Sequence, residues 1–163
     1  MEEGYLVEFR YPENSFYCIW CDTDIEVFLL VSEKLFYREQ LGDVKEYCYV
    51  NEIGLLNDAA TIYNVGEIEK WANSNLKEID VSQILTFWNI IDDYAKALEI
   101  EFSGNKDEMW DIYEKIFYGN NLPSINTSGS LYKPKWTKKE LLLIKGVIEE
   151  GLDLLRAEFF TDK

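Results

Sequence analysis

Histidine does not occur at any of the 163 positions of the chain. Its absence excludes a Ser-His-Asp or Cys-His pair, a zinc ion held by histidine, and an imidazole acting as general base near neutral pH. An enzyme with this sequence would have to use carboxylates, tyrosines, lysines or thiols alone. We therefore predict that the chain is not an enzyme.

Basic residues are also scarce. The chain has 16 lysines and arginines against 31 aspartates and glutamates, which gives a net charge of −15 at pH 7. Aromatic residues make up 15% of the sequence, whereas acidic disordered tails contain few, so we expect a folded acidic protein. This charge repels the phosphates of nucleic acid and of anionic lipid, and it attracts a basic surface. The composition predicts a basic protein as the partner.

One short segment is basic. Lys133, Lys135, Lys138 and Lys139 surround Trp136, and lysines interleaved with an aromatic residue could contact phosphate. Because the rest of the chain repels phosphate, we expect no direct nucleic-acid binding. The sequence also lacks the glycine-rich loops that hold nucleotides, and we expect no cofactor.

Long apolar runs are missing, and cysteine is rare. No segment is long and apolar enough for a signal peptide or a membrane span, so we expect a cytoplasmic protein without membrane association. Three cysteines without repeated spacing suit a reducing compartment. Cys18 and Cys21 have the spacing of a redox motif, but residues three apart in a strand point to opposite faces. Packing is therefore the favoured interpretation of this pair, ahead of redox chemistry or metal binding.

One acidic segment has part of a calcium-loop pattern. Asp22, Asp24 and Glu26 alternate, and Glu33 falls at the twelfth position, where such loops carry a carboxylate that binds through both oxygens. However, Val27 stands at the sixth position, where the sharp turn needs glycine. The start of a helix, with acids at its positive end, explains the pattern better, and we expect no metal.

The strongest structural signals lie at the two ends and the middle of the chain. Residues 4–11 and 15–21 are rich in aromatic and β-branched residues around a turn, which predicts an N-terminal β-hairpin. Residues 80–102 predict a central helix, because apolar residues recur at three- and four-residue steps after a capping aspartate, Asp80. The apolar stripe is wide enough to indicate burial on more than one side. Residues 137–160 predict a last helix, with Thr137 as its cap.

Other segments are less distinct. Residues 24–41 fit a helical face, although β-branched residues leave a strand as the alternative, and residues 44–50 read as a strand. Residues 51–65 show no period, and we assign them no element. Short helices are predicted over residues 67–76 and 106–119.

Several single residues carry further structural expectations. Asn105 has capping spacing before the helix at residues 106–119, and residues 119–135 have the composition of a long loop. Gly146 and Gly151 lower helix propensity within the last helix. They indicate either close approach of a neighbouring element or simple tolerance.

These signals together predict an α+β fold. We expect one helix-dominated domain spanning residues 1–163, with an N-terminal β-hairpin and a buried central helix. No internal repeat or low-complexity run divides the chain.

The candidate binding residues are carboxylates on two neighbouring predicted helices. Asp92 and Asp93 lie at the polar side of the central helix, and Asp107, Glu108 and Asp111 form an acidic strip on the next one. Two such strips could form one negative patch that meets a basic protein. An ordinary solvated acidic face is the simpler alternative.

In size, charge and lack of catalytic equipment, the chain resembles the small acidic immunity proteins that bacteria make against contact-dependent or polymorphic toxins. No motif carries the resemblance, so it transfers no individual residues. It implies a protein that blocks a basic toxin, in some cases a nuclease. The sequence also suits a phage-encoded inhibitor that mimics DNA, a carboxylate- or metal-dependent enzyme, or an accessory subunit that exposes a broad apolar patch.

Overall fold

The computed structural model describes residues 2–21, 27–75 and 78–161. The strands are β1 (Glu3–Arg10), β2 (Ser15–Cys21), β3 (Leu30–Val31), β4 (Lys34–Leu35), β5 (Gly54–Leu55) and β6 (Thr61–Asn64). The helices are α1 (Leu41–Val50), α2 (Val65–Ala72), α3 (Val81–Ala97), α4 (Trp110–Gly119) and α5 (Lys138–Phe160), with short 3-10 turns at Ser103–Asn105 and Asp107–Met109. The helix-dominated α+β class with an N-terminal hairpin is confirmed.

The chain groups into two compact units. The first comprises Met1–Glu67 and Asp93–Ile100, and the second comprises Ile68–Asp92 and Glu101–Lys163. The prediction that residues 1–163 form one domain stays a prediction.

Strand β1 organises the sheet of the first unit. It pairs with β2 in antiparallel register, with Tyr5 opposite Trp20 and Glu8 opposite Tyr17. Its other edge pairs in parallel with β5 and then with β6. The predicted hairpin therefore supplies the inner strand of a four-stranded sheet.

The core of the first unit lies against this sheet. Its buried side chains come from β1, β2, the segment after β2 and α1: Leu6, Ile19, Cys21, Leu29, Phe36, Val44 and Cys48. All three cysteines are buried and free of disulfide bonds. Burial raises the pKa of the Cys48 thiol, which keeps this thiol protonated and unreactive at neutral pH.

The helix predicted over residues 24–41 is wrong in the part that the structure describes. Residues 30–35 form a tight hairpin in which Leu30 pairs with Leu35 across a two-residue turn. Both turn residues have positive φ, 52° at Ser32 and 64° at Glu33. A turn of this kind usually contains asparagine and glycine, so this sequence carried no turn signal.

The strand predicted over residues 44–50 is also wrong, because these residues belong to α1. Val44 and Cys48 are its buried residues, and their four-residue spacing puts both on one helical face. The uncommitted residues 51–65 contain the short strands β5 and β6. The helix predicted over residues 67–76 exists as α2, which begins two residues earlier and ends at Ala72.

The predicted central helix exists as α3, although it ends at Ala97 and not at Phe102 as predicted. Asp80 Oδ1 accepts hydrogen bonds from the backbone N–H of Ser82 and of Gln83, each at 3.1 Å, so it caps the first turn as predicted. The helix is buried over most of its circumference. Its buried residues are Ile84, Phe87, Trp88, Ile90, Ile91, Tyr94 and Ala95.

The last helix, α5, begins with the predicted capping box. Thr137 accepts a hydrogen bond from the backbone N–H of Glu140, and the Glu140 carboxylate accepts one from the backbone N–H of Thr137. The two glycines of this helix differ. A Cβ at Gly151 would lie 2.9 Å from Ile91 Cγ1, whereas a Cβ at Gly146 would have no neighbour within 4 Å. Close approach of a neighbouring side chain therefore accounts for the glycine at position 151 but not for the one at position 146.

None of the helices in the described ranges combines the length and the apolar character that crossing a lipid bilayer requires.

Candidate protein-binding surface

Three of the five predicted binding residues lie together and exposed in the second unit. Asp107 and Glu108 occupy the 3-10 turn before α4, and Asp111 lies in the first turn of α4. Glu114 follows one turn later, and we call these four residues the acidic edge. Trp110 stands between them with 58% of its surface exposed. The 3-10 turn replaces the helix start predicted at Lys106.

Trp110 has a defined position although it is exposed. Its ring stacks on Tyr113, with ring centroids 6.1 Å apart, and Tyr113 in turn packs edge-on against Trp88 at 5.8 Å. The Tyr113 hydroxyl also donates a hydrogen bond to Asn89 Oδ1 at 2.7 Å. A fixed, exposed tryptophan loses little conformational entropy when a partner covers it.

Asp92 and Asp93 have a different environment from the one predicted. Both are half-buried, and each accepts a hydrogen bond from a side chain of its own unit. Asn105 Nδ2 donates to Asp92 Oδ1 at 3.1 Å in the second unit, and Trp20 Nε1 donates to Asp93 Oδ2 at 3.2 Å in the first. Asn105 therefore uses its side chain on Asp92 and provides no helix cap. These bonds give both aspartates a structural role, and their part in partner binding stays a prediction.

An apolar groove that the sequence did not indicate lies beside the acidic edge. Its volume is about 760 Å³. α4 and the loop after it form its walls, with the apolar and aromatic side chains of Phe117, Tyr118, Leu122, Ile125, Leu131 and Tyr132. Asp111 and Glu114 also line it, so the acidic edge and the apolar groove are continuous.

The loop over residues 119–135 is held by two asparagine side chains. Asn121 Oδ1 accepts from the backbone N–H of Tyr132 and from Asn126 Nδ2, both at 2.7 Å. Asn126 Nδ2 also donates to the carbonyl of Ser130 at 2.8 Å. These bonds fix the spacing between the two arms of the loop and therefore the width of the groove.

The cation that lines the groove is neutralised. Lys115 Nζ lies 2.9 Å from Glu140 Oε2, donates to the carbonyl of Lys135 at 2.6 Å, and stands 4.6 Å from the ring centroid of Trp136. Hydrogen bonding from the Thr137 backbone, followed by the bond and charge of Lys115, lowers the pKa of Glu140 despite its partial burial. One face of Trp136, in the predicted basic cluster, is thus covered from within the unit.

The first unit contains one buried carboxylate that the sequence did not single out. Glu8 Oε2 accepts from Arg10 Nε at 2.7 Å and from Ser15 Oγ at 2.8 Å, and Tyr17 also hydrogen-bonds to it. Burial alone would raise the pKa of Glu8, but the bonds from Arg10 and Ser15 and the charge of Arg10 outweigh it, so the pKa is lowered. The cross-strand register places these four side chains together, which could not be known before the pairing of β1 with β2.

Metal binding has no candidate in the described part of the chain, where no three carboxylates or thiols cluster in a way that could hold an ion. The calcium-like residues Asp22, Asp24 and Glu26 lie outside the described residues. Among the residues described, Glu8 is the one buried charged side chain. A pocket with two buried carboxylates is therefore not found there.

The acidic edge and the apolar groove are thus the features best suited to bind another molecule. The chain matches no protein-family model, no curated protein and no solved structure.

Proposed function

We propose that the chain binds and neutralises a basic protein and catalyses no reaction. The observation that carries the proposal is Trp110, which is exposed, stacked on Tyr113 and close along the chain to the exposed acids Asp107, Glu108 and Asp111. Tryptophan is the residue type most enriched at the energetic centres of protein interfaces. Carboxylates around it attract a basic partner and exclude an acidic one.

Such a partner fits the toxin-immunity role that the resemblance implies. A nuclease binds phosphates in a positive groove, and a group of carboxylates can occupy that groove in their place. Tight binding is then sufficient to inhibit the nuclease, and the inhibitor needs no catalytic residues. This agrees with a chain that has no histidine and carries a net charge of −15.

The first test uses the partner recovered from the native cell with the tagged chain as bait. The variant Asp107→Asn/Glu108→Gln/Asp111→Asn removes three charges, and we expect it to bind the purified partner at least about tenfold more weakly by titration calorimetry. The control Glu46→Gln/Asp58→Asn/Asp153→Asn changes the net charge equally at exposed positions elsewhere. Equal affinity of the two triple variants would place the interface away from the acidic edge.

Trp110→Ala tests the aromatic anchor. An interface centre of this kind contributes about 2 kcal/mol or more, so we expect affinity for the same partner to fall about 30-fold. Tyr49→Ala is the matched control, because Tyr49 is an aromatic residue on α1 with 87% of its surface exposed. If both variants bind as the native chain does, Trp110 is not the anchor.

The apolar groove favours a second candidate, a subunit of a larger assembly. Several of its side chains are exposed, and contiguous apolar surface of this kind marks interaction sites. An assembly subunit would co-purify with its partners in a complex that stays intact at high salt. The complex of an electrostatic inhibitor with its target would dissociate faster at high salt than at low salt. A toxin gene beside the gene for this chain would favour immunity over a phage-encoded inhibitor that mimics DNA.

A further inference from the structure

The apolar groove exposes side chains that a folded protein normally covers. Leu131 is 73% exposed, Ile125 49% and Leu122 42%, with Tyr118 and Tyr132 beside them at 48% and 41%. All five come from the end of α4 or the loop after it. Single exposed apolar residues are ordinary, but five around one groove form a patch.

Hydrogen bonds within the loop hold the groove in shape. The hydrogen bonds of Asn121 and Asn126 tie both arms of the loop together, and Leu122 closes a turn by accepting from the backbone N–H of Ile125 at 2.9 Å. An occupant therefore meets side chains that are already positioned. The volume of about 760 Å³ lies within the range of sites that accept a ligand and would hold a few large side chains.

The charge of the groove selects the occupant. Asp111 and Glu114 line it and form no ion pair within the described residues, whereas the charge of Lys115 is balanced by Glu140. A purely apolar occupant would leave two carboxylates partly desolvated without compensation. A segment that combines apolar side chains with lysine or arginine would satisfy both parts of the surface.

We propose that the apolar groove binds an amphipathic, cationic segment of the basic partner. Its apolar side chains contact Leu122, Ile125 and Leu131, and its lysine or arginine side chains lie beside Asp111 and Glu114. This proposal rests on the proposed function and adds to it the site and the chemistry of one docking segment. The acidic edge around Trp110 would contact the partner next to that segment, since Asp111 belongs to both.

Three labelled synthetic peptides test the groove. One alternates leucine pairs with lysine pairs, the second replaces each lysine by glutamine, and the third replaces each leucine by serine. We expect the leucine–lysine peptide to bind the whole chain at least about tenfold more tightly than either of the others, measured by fluorescence polarisation. Equal binding of the serine–lysine peptide would show attraction by charge alone and would overturn the proposal.

Variants then locate the binding. Ile125→Ser/Leu131→Ser and, separately, Asp111→Asn should each weaken the leucine–lysine peptide at least about fivefold. Their controls are Leu142→Ser, which changes a side chain 55% exposed on α5, and Asp153→Asn, an exposed acid of the same unit. Because Ile125 and Leu131 are already exposed, their replacement by serine should leave the circular dichroism spectrum unchanged.

The outcomes separate this proposal from the general one. If Ile125→Ser/Leu131→Ser binds the purified partner and the peptide as well as the native chain does, the groove is not the docking site. The acidic edge can still bind the partner in that case. The affinity of Asp107→Asn/Glu108→Gln for the purified partner shows whether it does. If these edge substitutions have no effect while the groove variant loses the partner, the partner docks through the groove, and the part of the proposed function that places Asp107 and Glu108 in the interface is wrong.

Discussion

Glu8 shows how strongly one buried charge can depend on its neighbours. Its carboxylate is 7% exposed and holds hydrogen bonds from Arg10 and Ser15. We expect Glu8→Gln to lower the free energy of unfolding at pH 7 by about 1.5–3 kcal/mol, because charge-assisted bonds are replaced by weaker ones. Urea denaturation measures this. Glu3→Gln, at the exposed start of the same strand, should change it by about 0.5 kcal/mol or less.

The same carboxylate makes stability depend on pH. The pKa of Glu8 in the folded chain lies below its ordinary value of 4.5, so in acid the unfolded chain binds a proton before the folded chain does. The stability that Glu8 contributes is therefore present above pH 4.5 and is lost as the pH falls through the folded pKa. In Glu8→Gln this part of the pH dependence should be missing. Carboxyl groups titrate between roughly pH 5 and roughly pH 3, and identical losses of stability in both proteins over that range would contradict the role of Glu8.

For the candidate binding residues, the sequence did not predict burial or hydrogen bonding correctly in every case. Asp107, Glu108 and Asp111 are exposed as expected for acidic residues, although the first two lie in a 3-10 turn and not in the predicted helix. Asp92 and Asp93 look the same in the sequence. Their partners Asn105 and Trp20 are 13 and 73 residues away, so only the folded chain shows that both aspartates are half-buried and hydrogen-bonded.

At the scale of elements, we expect alanine substitutions at the two glycines of α5 to change the free energy of unfolding in opposite directions. Gly146→Ala should raise the free energy of unfolding by about 0.5–1 kcal/mol, because alanine has the higher helix propensity and a Cβ meets nothing there. Gly151→Ala should lower it, because a Cβ would lie 2.9 Å from Ile91 Cγ1 and 3.0 Å from Phe87 Cε1, both on buried side chains. Overpacking of about 1–3 kcal/mol outweighs the gain in propensity. Thermal denaturation of both variants measures the signs, and an equal shift for both would show that α3 is not close to Gly151.

The elements that the sequence predicted correctly carry local signals. The hairpin of β1 and β2 combines strand-forming residues with a turn, and the central and last helices combine a clear period with a capping residue, Asp80 and Thr137. α1 has no such start, since Gln40 provides no side-chain cap. Its β-branched and aromatic residues resembled a strand until the buried pair Val44 and Cys48 showed the helical face.

The apolar groove was missed for a related reason. Residues 119–135 were correctly assigned to a loop, but a loop pattern says nothing about which of its apolar side chains stay exposed. The signal that could have indicated the groove was the presence of Leu122, Ile125, Leu131 and Tyr132 in a segment otherwise rich in turn residues. Their arrangement depends on the bonds of Asn121, which no period predicts.

At the scale of the whole molecule, charge is the property with the clearest consequence. Residues 1–66 carry a net charge of −9 and residues 67–118 carry −7, whereas residues 119–163 carry +1. The acidic edge belongs to the second of these segments, and the loop that lines the apolar groove belongs to the third. A basic partner is therefore attracted at long range by the first two thirds of the sequence, and short-range contact with the groove follows.

The rate of association between the chain and its purified basic partner, measured by stopped flow as a function of salt, tests the proposed function most directly. Between about 0.01 M and about 1 M salt the screening length falls from about 30 Å to about 3 Å. We expect the rate to fall by at least about tenfold over this range, and to fall less steeply for Asp107→Asn/Glu108→Gln/Asp111→Asn. A rate that is indifferent to salt, or equal slopes for the native chain and this variant, would contradict an electrostatic role of the acidic edge.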